Sequence, residues 1–365
     1  MLELRTHRIA GTEPGQRAAA LAAGSAAWLP AELAVYDRLF TAAGLTPYRV
    51  RELAEAARAA LAGWAPDLAG ELDQYAVACG LPPWRIHALD ARTELLAAAG
   101  AAGRGECSTV ATTTPGGPLG AQTWDWHREL AGGWAVLEYP QTALPFVTVT
   151  EAGLLAKIGI NSAGVGVLFN ILSHRSDTGT GGVPVHAVAR RILDSADSVE
   201  AAVAILRSAP LAASSCFTLL DPSRVACLEA SPAGVAELPA ARWTLHTNHF
   251  RSPDLAPGAL ATDPDSDSQP RLDVLASRTA GEPADLWTGA DAEGLAELLC
   301  AHAADGADVC CHAPADAALG SGWQTLATIA LDPAGRRISV LAGGPCGRPE
   351  RQWYRFNAGR AGRAG

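Results

Sequence analysis

Of the eight cysteines in this 365-residue sequence, Cys107 stands in the least structural setting, within Arg104-Gly105-Glu106-Cys107-Ser108-Thr109-Val110. A buried structural cysteine belongs inside an apolar strand, as Cys216 and Cys227 do, whereas the neighbours of Cys107 are Glu, Ser and Thr. The residues alone leave two readings open, a nucleophile or a small core residue. As a nucleophile it needs help, because a thiol with a pKa of about 8.5 is only a few per cent thiolate at neutral pH.

Other chemistries lack their signatures. The chain has no GxSxG elbow, no SxxK run with its companion motifs and no HExxH. The glycine-rich TGTGG at 178–182 has neither the GK[ST] ending of a P-loop nor a GxGxxG, and reads as a turn ahead of a helix at 184–194. Cys310-Cys311-His312 invites a metal, but adjacent cysteines share a tetrahedral site poorly and the CxxC spacing is missing, so no metal site is expected.

The elements that would hold Cys107 in place change character along the chain. The first hundred residues read mostly as helix. Thr46-Pro47 starts one, with Val50, Leu53, Ala57 and Leu61 on one face and Gly63 at its end. Asp67 caps the next, which carries Leu68, Leu72, Tyr75 and Cys79 and stops at Gly80, and a third runs over 84–99. After Gly103 short apolar or alternating runs predict strands at 107–114, 119–126, 134–139, 146–150, 154–160 and 165–171. Two helices follow, the second behind a capping box of Asp197 and Glu200. Strands resume at 215–220, 225–230, 235–238 and 243–247. A polar loop spans 252–269, a helix lies near 292–301, and strands at 325–331 and 337–341 come last. This order suits an α+β layer fold with helices over both faces of largely antiparallel sheets.

Hydrophobic residues make up 48% of the chain and charged ones 18%, a globular balance. The net charge of −10 and the lack of a basic block argue against nucleic acid as a partner. No run of about 18 apolar residues predicts a membrane span, and no apolar signal core is read near the N-terminus, so the expected location is cytoplasmic. The eight cysteines are not read as a disulfide scaffold.

Around Cys107 the chain resembles the acyl-coenzyme A:6-aminopenicillanic acid acyltransferase family, the C45 peptidases. The matching pieces are Leu89-Asp90-Ala91-Arg92-Thr93-Glu94, Glu106-Cys107-Ser108-Thr109, Ala121-Gln122-Thr123-Trp124-Asp125-Trp126 and Lys157-Ile158-Gly159-Ile160-Asn161-Ser162-Ala163-Gly164. Gly182-Val183-Pro184-Val185-His186, His246-Thr247-Asn248-His249 and Gly343-Gly344-Pro345-Cys346 follow in order. The resemblance implies a four-layer αββα Ntn-hydrolase sandwich behind a helical N-terminal segment, and self-cleavage before the nucleophile. Residues 1–106 would become one chain, with 107–355 as the core and 356–365 as a flexible tail. It implies Cys107 as nucleophile, Asp125 as catalytic aspartate and Asn248 as catalytic asparagine. Glu106 departs from the glycine that precedes the cysteine in the best-known member.

The implied chemistry is acyl transfer or amide hydrolysis through a Cys107 thioester. Cleavage would free an α-amine of pKa about 7.7–8.0 on the residue that carries the sulfur, a base poised near neutral pH. Asp125 would hold the ammonium, and Asn248 would donate to the oxyanion. The expected substrate is a small N-acyl compound, with acyl-coenzyme A as a co-substrate and no cofactor, and the cut chains are expected to stay associated. Thr325 is a further hydroxyl to be sought near the sulfur. Arg92 and Glu94 read as a pair shaping the cleavage site or as an exposed pair near a helix end. His246 and His249 read as structural, and Asn161 and Gly164 as a hairpin turn. Two other readings stand beside this one: an uncut Cys–His hydrolase using His246 or His249, and a non-catalytic protein that keeps the fold.

Overall fold

The computed structural model describes residues 4–100, 107–260, 267–280, 291–350 and 352–359. A short strand, β1 (Thr6–Arg8), leads into six helices: α1 (Pro14–Ser25), α2 (Leu29–Ala42), α3 (Pro47–Trp64), α4 (Pro66–Ala78), α5 (Pro83–Asp90) and α6 (Arg92–Ala98). The Thr46 hydroxyl caps α3 by accepting the Arg49 N–H, and Val50, Leu53, Ala57 and Leu61 form its buried face. Asp67 is not the cap of α4. The helix starts one residue earlier at Pro66, and Asp67 sits in its first turn, where a carboxylate complements the helix dipole. The expected helix over 84–99 is broken at Ala91 into α5 and α6.

Two sheets follow. β2 (Ser108–Thr114), β3 (Gly117–His127), β11 (Trp243–His246), β12 (Trp323–Asp332), β13 (Arg337–Ala342) and β14 (Tyr354–Asn357) form a six-stranded sheet in the order β11-β2-β3-β12-β13-β14. The other sheet has eight strands. It takes β4 (Trp134–Tyr139), β5 (Phe146–Glu151), β6 (Ile158–Asn161), β7 (Gly166–Ile171), β8 (Ser215–Leu220), β9 (Val225–Ser231) and β10 (Gly234–Glu237) in sequence, with β1 on its β4 edge. Among these strands every pairing is antiparallel except β1 with β4.

The sheets face one another. Gln122 on β3 both donates to Phe169 O and accepts from Phe169 N on β7, an amide stitch across the interface. Gly120 permits the close approach, since a Cβ there would stand 2.9 Å from a Leu220 methyl. α7 (Val185–Ser195) and α8 (Val199–Ser208) cover the eight-stranded sheet, while α9 (Ser268–Thr279) and α10 (Ala292–Leu295) cover the other. These are the four αββα layers that the resemblance implies.

Several expectations need correction. α9 has no counterpart among the expected elements, and it begins inside the stretch read as a loop over 252–269, of which residues 261–266 lie outside the described ones. Ser198, not Asp197, caps α8, its hydroxyl accepting from Ala201 N–H. The segment assigned to a tail at 356–365 supplies the end of β14, with Asn357 opposite Arg337 and Ala358 buried, and residues 360–365 lie outside the described ones. Asn161 does hold the hairpin turn, its Oδ1 accepting from Ala163 and Val165 N–H. Among the described residues no single helix is long and apolar enough to cross a membrane.

Arg92 and Glu94 are both buried and do not pair with each other, as two residues two apart on a helix cannot. Arg92 is held by Glu151, whereas Glu94 Oε1 accepts from Val185 N–H. Burial pushes the Glu94 carboxyl up to about 8 and that of Asp90 up to about 7. A raised carboxyl pKa stabilises the fold fully below the unfolded value and loses that contribution as pH rises through the folded one. Glu94→Gln keeps the acceptor without the ionisation. Its melting temperature should match wild type near pH 4 and exceed it near pH 8, a contrast that differential scanning calorimetry at both pH values checks.

Candidate active site

Strand register assembles the site. Ser108 stands opposite Thr123 in the β2–β3 hairpin, so Cys107, just ahead of β2, reaches the level of Trp124 and Asp125. Its Sγ lies 3.7 Å from Asp125 O. On the other side of β2, Thr109 stands opposite His246, the last residue of β11, and two residues beyond the strand the Asn248 Oδ1 accepts from the Arg271 guanidinium that also donates to Cys107 O. Thr325 pairs with Asp125 across β3 and β12, and the register slips by one residue between Thr325 and Ala327. Such a bulge re-aims side chains where a regular ladder would not.

Cys107 and Asp125 are buried. Burial, and then the Asp125 charge, push the thiol up to about 11, so the sulfur is a poor nucleophile until a base takes its proton. The Thr123 hydroxyl lies 3.3 Å from Asp125 Oδ2 and accepts from Ser108 N–H. The Thr325 hydroxyl is occupied by Cys311 N–H at 2.9 Å.

Three further residues belong to the site. Asn170 on β7, in the opposite sheet, donates from Nδ2 to Cys107 O at 2.9 Å and accepts from the Thr109 hydroxyl at 2.8 Å. Arg271 on α9 is buried. It donates to Cys107 O at 3.1 Å, to Ser108 Oγ at 3.0 Å and to Asn248 Oδ1 at 3.2 Å. Lys157, buried with its ammonium nitrogen 4.0 Å from the Trp124 ring centroid, is drawn down to about 7 by burial, and its charge acts on Cys107. An amide inside the apolar run Gly166–Ile171 was a signal for Asn170, since a buried polar side chain needs partners. Nothing in the local sequence marks Arg271.

Asn248 donates one N–H of its amide to Ile171 O at 2.9 Å. An amide nitrogen has two, so a second remains for an incoming oxygen. The flanking histidines serve the scaffold. His246 bridges Glu229 and Thr247 O, and its pKa, lowered by burial, is carried upward overall by the Glu229 carboxylate. His249 is hydrogen-bonded to Ser268, and burial together with the His246 charge holds it down at about 4. Among the described residues no histidine is hydrogen-bonded to the Cys107 sulfur. Glu106 lies outside the described residues.

Comparison with known proteins identifies the family. The family model of acyl-coenzyme A:6-aminopenicillanic acid acyl-transferase matches residues 112–346, a span that takes in Asp125 and Asn248 and begins just after Cys107. The 40 kDa form of that acyltransferase from Emericella nidulans is 31% identical over 251 residues, which are 66% of this chain and 66% of that protein. Two solved structures overlap it more loosely. An N-acylethanolamine-hydrolyzing acid amidase ortholog from Caenorhabditis elegans is 13% identical with a TM-score of 0.45, covering 62% of this chain and 93% of that one. A mutant conjugated bile acid hydrolase from Clostridium perfringens is 12% identical with a TM-score of 0.46, covering 69% and 92%. The family model spans well over half of the sequence, and the chain belongs to the acyl-coenzyme A:6-aminopenicillanic acid acyltransferase family.

Proposed function

We propose that this protein is a self-processing N-terminal-cysteine enzyme that transfers or hydrolyses a small acyl group held as a thioester on Cys107. The observation that carries the reading is the meeting of Cys107, Asp125 and Asn248 through the register of β2 with its two neighbours. Cys107 and Asp125 come from one hairpin, and Asn248 from more than a hundred residues further along the sequence.

In the first step the Cys107 sulfur attacks the carbonyl carbon of Glu106. The peptide C–N bond breaks, the Cys107 nitrogen takes a proton, and the acyl group sits on sulfur until water releases it as the Glu106 carboxylate. The new α-amine then serves as the base that the buried thiol lacks. In turnover the sulfur attacks the donor carbonyl while the amine holds the thiol proton. That proton passes to the leaving group, an amine or the thiol of a coenzyme A ester. Water or an acceptor amine then attacks the thioester. Asp125 holds the ammonium form, and the second Asn248 N–H faces the oxyanion. Asn170 and Arg271 keep the Cys107 backbone in place by donating to its carbonyl. The absence of a histidine bonded to the sulfur, among the described residues, favours this base over an uncut Cys–His pair.

Intact-mass spectrometry of the purified protein should show two fragments divided at Cys107. A panel of acyl-coenzyme A esters and N-acyl amides should then reveal turnover of at least one compound. An active preparation in which every chain is whole would sink the proposal.

A further inference from the structure

Between the 3-10 turn Ala296–Leu299 and β12, residues 300–322 contain one further short turn, Ala303–Asp305. A stretch this long with so little regular structure needs something other than a backbone ladder to fix it. Three side chains from it, His302, Cys310 and His312, converge with Cys346 from the turn after β13. His312 Nε2 is 3.3 Å from His302 Nε2, 3.5 Å from Cys310 Sγ and 3.3 Å from Cys346 Sγ. The two sulfurs are 3.4 Å apart, and all four candidate donor atoms lie within 4.8 Å of one another.

These are the edges of a small tetrahedron. With Zn–S bonds of about 2.3 Å and Zn–N bonds of about 2.0–2.1 Å, ligand atoms stand roughly 3.3 to 3.8 Å apart. Two thiols and two imidazoles are a borderline-soft donor set that suits zinc and not the oxygen-seeking magnesium or calcium. Room for the sulfurs is kept by Gly344, where a Cβ would stand 2.3 Å from Cys310 Sγ and 3.8 Å from Cys346 Sγ. The adjacent pair that argued against a metal is divided: Cys311 turns the other way and bonds Trp323 O through its thiol.

We propose that His302, Cys310, His312 and Cys346 bind one zinc ion as a closed structural site. Four protein ligands leave no position open for water or substrate, so the metal holds structure and does no chemistry. The hold reaches the active site. Val309, next to Cys310, presents its carbonyl 3.3 Å from the Thr123 hydroxyl, which lies at the same distance from Asp125 Oδ2. Zinc would fasten the segment that backs the strand bearing Asp125.

The test uses the full chain, purified under mild reductant without chelator and dialysed against buffer containing zinc, then freed of excess. Elemental analysis should find about one zinc per chain in the wild type and in Cys107→Ala, since the site does not depend on the cut. Cys346→Ser and His302→Ala should each fall to background, while Cys216→Ser, in the separate buried cysteine pair, keeps the metal. Should the ligand variants fold badly, cobalt exchanged into Cys216→Ser, which disables the other cysteine–histidine cluster of Cys216, Cys227 and His246, answers instead: tetrahedral thiolate–imidazole coordination gives intense visible bands and a thiolate-to-metal charge-transfer band. Zinc below about a tenth of an equivalent in reduced wild type, or a cobalt spectrum without the thiolate band, overturns the proposal. A Cys310–Cys346 disulfide that leaves no zinc bound after reduction does the same.

Discussion

Cys107→Ala should leave a single 365-residue chain where the wild type yields two, and should abolish turnover. Both effects come from one atom. In the proposed mechanism the sulfur is the attacking group of the cut and of the thioester step, so its loss would remove the route instead of slowing it. Removing a nucleophile elsewhere costs on the order of 10⁶-fold in kcat, and a comparable fall is expected here. The substitution removes one sulfur atom from a buried position, so folding is expected to survive, and circular dichroism should show an unchanged spectrum. Cys107→Ser weakens both roles without removing the attacking group. A hydroxyl is far less acidic than a thiol, so processing and turnover should both be slow, with uncut chain accumulating. Wild-type cleavage in the alanine variant, followed by denaturing gel or intact mass, would show that another group breaks the bond.

The second large effect is expected at Glu151, which touches nothing in the reaction. Its carboxylate accepts from the Tyr36 hydroxyl at 2.6 Å and from Arg92 Nε at 3.0 Å, and lies 3.8 Å from the Lys157 ammonium. Arg92 in turn stacks 4.3 Å from the Trp126 ring centroid, one residue from Asp125. All of these groups are buried. Glu151→Ala leaves the Arg92 charge without its counter-ion in a dry interior and removes the carboxylate that keeps Lys157 protonated, and breaking a buried pair in this way costs about 3–5 kcal/mol. The urea midpoint should fall accordingly. Replacing Arg92 and Glu151 together by methionine should recover much of the loss, because two well-packed apolar side chains need no partner charge. A single-variant midpoint within error of wild type would remove Glu151 from the account. Tyr36 and Arg92 precede Cys107 while Glu151 and Trp126 follow it, so this knot also ties the two chains of the proposed processed enzyme.

Much of the strand framework was legible because its period-two apolar runs are bounded by turn residues. The ends of β4 and β8 agree with their sequence boundaries. Helix α9 was hidden by its own composition. Ser268-Gln269-Pro270-Arg271 reads as loop, and only Leu272, Val274 and Leu275 mark a buried face. With that helix hidden, so is Arg271, whose significance lies in contacts to two distant parts of the chain, Cys107-Ser108 and Asn248, and in no local pattern. The meeting of Cys107 with Asp125 and Asn248 was likewise invisible to periodicity; it follows from which strands become neighbours. Family resemblance supplied those three, and it was silent on the His302, Cys310, His312 and Cys346 cluster, whose irregular spacing matches no familiar ligand pattern. Arg92 and Glu94 failed differently. Sequence proximity suggested a mutual pair, whereas tertiary packing gave each its own distant partner.

If the chain is cut as proposed, the parallel seam between β1 and β4 sets an order of events. Residues 6–8 supply the outermost backbone partner of the larger sheet, with Ile9 N–H and Arg5 O extending the ladder onto Glu138 and Val136. A polypeptide starting at Cys107 would emerge with that margin bare, ready to pair with its own copies. Assembly must therefore come before scission. Once the leading piece is severed, recovering from denaturation requires two molecules to find each other. Cleavage as proposed would thus turn a first-order refolding into a concentration-dependent one, and would make the finished enzyme's thermal loss hard to reverse.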